Sequence, residues 1–168
     1  HLRLVNRAAV PVLLIEGEEL VGAKQNRVLN TTVLARENSE TIIPVSCTEQ
    51  GRWNRVSYEF RPSEVVMEMK MRHDKMRSVS DSLKRGTGHS SNQGQVWQKI
   101  EALQDKAGHY SPTNAMHDVF ESNVLRSRVK SCLDDAPVGF KTQFQSERIR
   151  FSADKAGMRV GQFFHHGQ

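Results

Sequence analysis

The sequence is poor in cysteine, in long apolar runs and in known catalytic signatures. Cys47 and Cys132 are the only two cysteines in 168 residues, far apart and without CxxC or metal-type spacing. That excludes a disulfide framework and makes a reducing, cytoplasmic setting the natural expectation. No apolar run approaches the ~18 residues needed to span a membrane, so no membrane partner is expected. No basic-then-apolar signal opens the chain, although His1 is not a natural start and a preceding segment is allowed for. Asn30-Thr31-Thr32 matches a glycosylation acceptor, but without a secretory signal it reads as chance. There is no Gly-rich phosphate loop, HExxH or GxSxG, so the common catalytic signatures are missing. No metal site is expected, no cofactor is indicated, and whether the chain is an enzyme stays open.

Hydrophobic residues make up 37% of the chain and charged residues 26%. That is polar for a globular domain but not disordered in character. At this length roughly two-thirds of the unfolded surface can be buried, enough for a core without staples. The net charge of +5 is unevenly spread. Residues 1–53 balance six basic against six acidic side chains, whereas residues 70–85 carry Lys70, Arg72, Lys75, Arg77, Lys84 and Arg85 against Asp74 and Asp81. Such a local excess attracts phosphates, though interleaved signs are commoner on a solvated helix face.

The first fifty residues read as strands. Val10–Ile15 is an apolar run, with Pro11 marking a strand start or an edge, and Glu16-Gly17 is a turn signal. Val28–Leu34 is strand-like, Glu37–Glu40 is a polar hairpin loop, and Thr41–Cys47 returns. The expectation is α+β: an antiparallel β-sandwich or small barrel in the N-terminal part, followed by about three α-helices. Residues 1–60 are assigned to the β-rich unit, 61–136 to a helical segment packed on it, and 137–168 to a divergent tail with one or two strands, all within a single domain.

The helical signals are less uniform. Val65, Met69, Met76, Val79 and Leu83 fit a helix ending by Gly86. The alternation Val65-Met67-Met69-Met71 competes, so residues 64–71 are extended on that reading and the helix starts near Arg72. Gly86-Thr87-Gly88 reads as a flexible link. Ser91 or Asn92 caps a second helix, with Val96, Trp97, Ile100 and Leu103 on one face and Gly108 at its end. Ser111-Pro112 signals a third helix running to about Leu133. Phe140, Thr142 and Phe144 alternate as in a strand, and residues 161–168 are expected to fray.

The densest chemistry lies in Glu18–Arg27, followed after the hairpin by Cys47, Glu49, Gln50, Gly51, Arg52 and Trp53. In a strand, Lys24 and Asn26 share one face and Gln25 and Arg27 the other; otherwise the segment is an exposed loop. The strings EGEELVGAKQNRVLNTTVL, IIPVSCTEQGRW and SNQGQVWQKI resemble the uncharacterised ADP-ribosylglycohydrolase- and rhodanese-phosphatase-associated domain family, over roughly residues 3–135. The resemblance implies association with those enzymes, not an activity, and brings no catalytic residues with it.

The ligand-binding candidates are Glu19, Lys24, Gln25, Asn26, Arg27, Glu49, Arg52 and Trp53. Arginine offers a planar fork of donors, lysine a point charge and asparagine a donor with an acceptor, a set suited to phosphate or carboxylate. Structural ion pairing with Glu18 or Glu19 explains them equally well. Cys47 as a nucleophile needs a nearby base, and a buried strand cysteine is the commoner case. Glu19 with Glu49 as an acid–base pair is a weaker reading. Trp53 either stacks on a flat ligand or anchors the sheet to the helices. Trp97 is expected in the helix–core contact, and the methionines from Met67 to Met76 as core filler.

Three functions follow. The first is binding, or processing, of a small nucleotide- or ADP-ribose-like ligand, with Glu19, Lys24, Asn26, Arg27, Glu49 and Arg52 converging on one pocket. The second is nucleic-acid binding through helix 70–85. The third is an interaction or homo-oligomerisation module using the apolar helix stripes.

Overall fold

The computed structural model describes residues 1–134 and 158–162. Seven strands precede the first long connection: β1 (Leu2–Asn6), β2 (Val12–Leu14), β3 (Glu18–Gly22), β4 (Arg27–Leu29), β5 (Val33–Ala35), β6 (Ser39–Ile43) and β7 (Val45–Cys47). Then come β8 (Glu59–Val66), α1 (Met69–Lys84), α2 (Gln93–Ala107), α3 (Met116–Glu121), α4 (Asn123–Asp134) and β9 (Met158–Gln162). The fold is α+β. A seven-stranded antiparallel sheet runs in the order β6-β1-β9-β8-β3-β4-β7, and β2 with β5 forms a separate two-stranded sheet.

Alternation divides the apolar residues between two cores. Leu2 and Leu4 of β1, Val12 and Leu14 of β2, Leu20, Leu29, Ala35, Ile43 and Phe60 form one cluster, joining both sheets. Val28, Val65, Met67, Met71, Val96, Ile100 and Met116 form the other, joining the large sheet to the helices. Adjacent residues Val28 and Leu29 thus face opposite cores, as the two-residue period of a strand requires. Full burial of each such side chain contributes about 1.5–3 kcal/mol.

Several boundaries differ from those read in the sequence. The expected strand Val28–Leu34 is two strands in different sheets. Asn30 breaks it: its buried side chain accepts a hydrogen bond from Ser46 Oγ and donates to the carbonyl of His89. The loop Glu37–Glu40 therefore does not close a ladder between its flanking strands. That ladder forms between β4 and β7, with Arg27 opposite Cys47 and Leu29 opposite Val45. The β unit does not end at residue 60, because β8 continues the sheet to Val66, and β9 of the tail pairs with β1 and β8. Gly161 and Gln162 accordingly lie in β9 rather than in a frayed end. The alternation at Phe140–Phe144 falls outside the described residues.

Among the helices, α1 starts at Met69 rather than Arg72, because the Glu68 carboxylate accepts from Met71 N and caps it. The period-two alternation holds for buried Val65 and Met67 but breaks at Met69, which is exposed because the helix has begun there. Asn92 caps α2 and Gly108 closes it in the left-handed conformation. Ser111-Pro112 opens a turn, not a helix. Ser111 Oγ accepts from Thr113 N and Ala115 N, and α3 begins only at Met116. Ser122 then separates α3 from α4.

Two polar interlocks tie the helices to the sheet. Lys75 is buried on α1, with Nζ 2.6 Å from Glu16 Oε1 and 2.7 Å from the carbonyl of Leu29. Arg72 takes the other Glu16 oxygen at 3.1 Å. On the edge strand β7, the Gln93 side chain donates to the carbonyl of Cys47 and accepts from its N–H, as a neighbouring strand would. Breaking a buried ion pair by removing one partner costs about 3–5 kcal/mol. Lys75→Met is therefore expected to lower unfolding free energy by about 3 kcal/mol in urea denaturation, and Glu16→Gln/Lys75→Met by less than the sum of the singles. Additive losses would show that the two groups are energetically independent.

Candidate functional site

The residues expected to form one patch occupy separate settings. The segment Ala23–Asn26 is neither strand nor exposed loop; it is the tight turn joining β3 to β4, with Gln25 and Asn26 buried. Gly22 is required there, since its φ is +138° and a Cβ would sit 2.6 Å from the carbonyl oxygen of Glu59. Ala23 is held in the left-handed region at φ 49°. Its N–H donates to Ser57 Oγ, and its carbonyl accepts from Arg52 and Val56.

Asn26, Glu49 and Arg52 do converge, but on each other. Glu49 accepts from Asn26 N, Arg52 Nε and Thr113 Oγ1. Arg52 also donates to the carbonyls of Gly22, Ala23 and Asn54 and to Asn26 Oδ1. Burial alone raises the Glu49 carboxyl, but these donors hold it below the usual carboxylate range. The network joins the β3–β4 turn to the segment before α3 and leaves no guanidinium donor turned outward for a ligand. Arg27 lies against Cys47 Sγ and donates to Gln25 Oε1. Burial pushes the Cys47 thiol up despite Arg27, so it stays protonated at neutral pH. Lys24 makes no ion pair among the described residues, and Trp53 is 70% exposed and belongs to neither apolar core. Trp97 packs at the helix-side core as expected.

Glu19 stands apart. It is completely buried. Its register partner across the β3–β4 ladder is Val28, a member of the helix-side core, so the carboxylate faces the helices. Opposite it the β3–β8 ladder is irregular: residues 18 and 20 of β3 pair with 66 and 62 of β8. The extra β8 residues form a bulge beside Pro62, and the bulge aims Ser63 at the carboxylate. Thr48 Oγ1 donates to Glu19 Oε1 at 2.7 Å, and Ser63 Oγ lies 3.4 Å from Oε2. His117 Nδ1 of α3 is 3.1 Å from Oε2.

The imidazole position is set by the sheet. Met116 N donates to the Thr48 carbonyl, Gln50 and Gly51 N donate to the Thr113 carbonyl, and Glu49 bridges to Ala115. The first turn of α3 is thus hung on the segment just beyond β7 that supplies Thr48. The His117 side chain is 30% exposed while its carboxylate partner is fully buried. With Nδ1 committed to Glu19, Nε2 is the nitrogen left for other chemistry. Burial pushes the Glu19 carboxyl up, against the donors around it. The hydrogen bond that Nδ1 donates to Glu19 raises His117 above its ordinary value, and Glu121 and Asp118 add to this. The pair therefore holds its first proton more firmly than a free imidazole does.

Sequence reading found Glu19 but missed His117, Thr48 and Ser63. The available signal was a histidine about 100° round the helix from Met116, beside the stripe of Val119 and Phe120. Among the described residues no group of three or more His, Cys, Asp or Glu side chains is arranged to hold a metal. No described helix is long and apolar enough to cross a membrane.

Fold and site together define an α+β domain with a buried carboxylate–histidine pair at its sheet–helix junction. The chain belongs to the ARG and Rhodanese-Phosphatase-superfamily-associated Protein domain family, whose model matches residues 1–161. The match extends past residue 135, where the resemblance read from the residues ended, and takes in most of β9. No curated protein and no solved structure matches the chain.

The pH dependence has a definite sign. His117 is raised in the folded state, so its bond to Glu19 contributes fully below the unfolded histidine value of about 6.5 and is lost as pH rises through the folded value. The raised Glu19 acts in the same direction. The stability difference between the native chain and Glu19→Gln should be more favourable to the native chain at pH 6 than at pH 9. Equal thermal-midpoint differences at both pH values would show that no proton is shared.

Proposed function

We propose that this domain binds and processes a small nucleotide- or ADP-ribose-like ligand at the Glu19–His117 pair. The observation that carries the reading is a fully buried carboxylate orienting a partly exposed imidazole. In its neutral form His117 accepts a proton at Nε2 from water or a ligand hydroxyl, and Glu19 stabilises the imidazolium that results. Thr48 and Ser63 hold the carboxylate in place. The family description supports the ligand class through its association with ARG proteins, which is weaker support than the site, since associated proteins need not share substrates. The free thiols Cys47 and Cys132 are in keeping with a reducing, cytoplasmic setting.

Two other readings draw less support. In the basic stretch 70–85, Arg72 and Lys75 are turned inward onto Glu16 and Lys84 lies by Asp81, which reduces the charge offered to nucleic acid. The stripes of α2 and α3 face inward, with Val96, Ile100, Met116 and Val119 buried, which leaves little of them for pairing between chains.

The test uses ADP-ribose and AMP with the intact chain. Either ligand should raise the thermal midpoint by mass action and shift the His117 imidazole resonances. Turnover of the ligand should fall by about 100-fold or more in His117→Ala and in Glu19→Gln. Turnover unchanged by both substitutions, or His117 resonances unmoved by every ligand at millimolar concentration, would overturn the proposal.

A further inference from the structure

Away from the Glu19–His117 pair, an open trough of about 700 Å³ runs between α1 and α2. Its size is that of a small-molecule site. Arg77 of α1 and Arg85 at its C-terminal cap stand on its wall with neither an ion pair nor a side-chain hydrogen bond among the described residues. The other charges near them are already occupied: Lys99 holds Asp74 at 2.7 Å and Lys84 lies 3.8 Å from Asp81. The rest of the lining is hydroxyl and amide, from Ser78, Ser82, Thr87, Ser90, Ser91, Gln95 and Gln98.

The far wall is fixed rather than loose. Gly86-Thr87-Gly88, which the sequence presents as a flexible link, and the residues on to Ser91 are pinned at successive points. Thr87 N donates to the Ser82 carbonyl, and Ser82 Oγ donates to the carbonyl of Gly88. Asn30 of the sheet holds the His89 carbonyl, and Ser91 Oγ contacts Ser46 Oγ. Gly86 and Gly88, at φ +72° and +77°, have open space where side chains would be. The first turn of α2 is already capped by Asn92, so recognition of an anion falls to the two guanidinia.

We infer that this trough is a second ligand site, taking a phosphate monoester of a hydroxyl-rich small molecule, with Arg77 and Arg85 on the phosphate and Ser90, Gln95 and Gln98 on the hydroxyls. Guanidinium forks suit phosphate oxygens, and a preformed polar wall limits the ordering cost of binding. Asp81 lies one turn from each arginine along α1 and opposes the anion.

Titration of the intact chain with AMP and, separately, inorganic phosphate tests this by calorimetry. Both arginines are exposed, so Arg77→Gln/Arg85→Gln should fold normally, with an unchanged circular dichroism spectrum. AMP affinity is expected to fall by about tenfold or more in that variant and to rise in Asp81→Asn. The part of AMP binding that the arginine double variant removes should persist in a His117→Ala background, whatever AMP does at the proposed catalytic pair, which separates the two sites. Failure of AMP and phosphate to bind, or equal affinity in the double variant, would overturn the inference. So would binding of a single-stranded RNA oligonucleotide that depends on both arginines while AMP shows none, because the occupant would then be a polymer.

Discussion

A carboxylate with no access to solvent sits in the plane where sheet meets helices, and the nearby structure is arranged around satisfying it. An isolated buried charge costs several kcal/mol even after relaxation. Three groups from three elements offset part of that cost for Glu19: Thr48 beyond β7, Ser63 in the β8 bulge and His117 of α3. Each has its own support. The bulge exists where Ser63 must turn inward, and α3 starts where the Thr48 carbonyl takes the Met116 N–H. An apolar residue at position 19 would satisfy the core with none of this apparatus.

The polar string that dominates the sequence has a different part. Glu49, Arg52 and Asn26 form a closed hydrogen-bonded knot that fixes the strained turn at Ala23 and, through Thr113, the approach to α3. Its charged groups stabilise the frame that positions His117. The most conspicuous charges thus hold the scaffold, while the pair suited to chemistry consists of one residue inside the string and one 98 positions later.

The α+β architecture, the caps at Asn92 and Gly108 and the meeting of the two polar strings were legible because each rests on local rules: alternation, capping and turn chemistry. The splitting of Val28–Leu34 was not, because Asn30 and Thr31 are compatible with a strand until Ser46 and His89 capture the Asn30 side chain. The late start of α3 was hidden for a similar reason. Ser111-Pro112 is a sound helix signal, and the competing hydrogen bonds of Thr113 to the segment 49–51 are long-range. The catalytic candidate His117 could not be paired with Glu19 without the bulge and the bridge at Ala115, neither of which leaves a local sequence signature.

The clamp of Gln93 on Cys47 has a consequence for how copies of this chain meet. A sheet ends wherever its last strand has backbone groups turned outward, and such groups invite a strand from another molecule. At Cys47 both groups are occupied by one amide side chain, itself anchored in the first turn of α2. Recruiting a foreign strand at that point means unseating a helix. The opposite margin, β6, has no such plug among the described residues and carries instead the Arg3–Glu40 pair on its flank. The sheet is therefore polar in its capacity for growth, stoppered by an amide at one margin and guarded only by charge at the other.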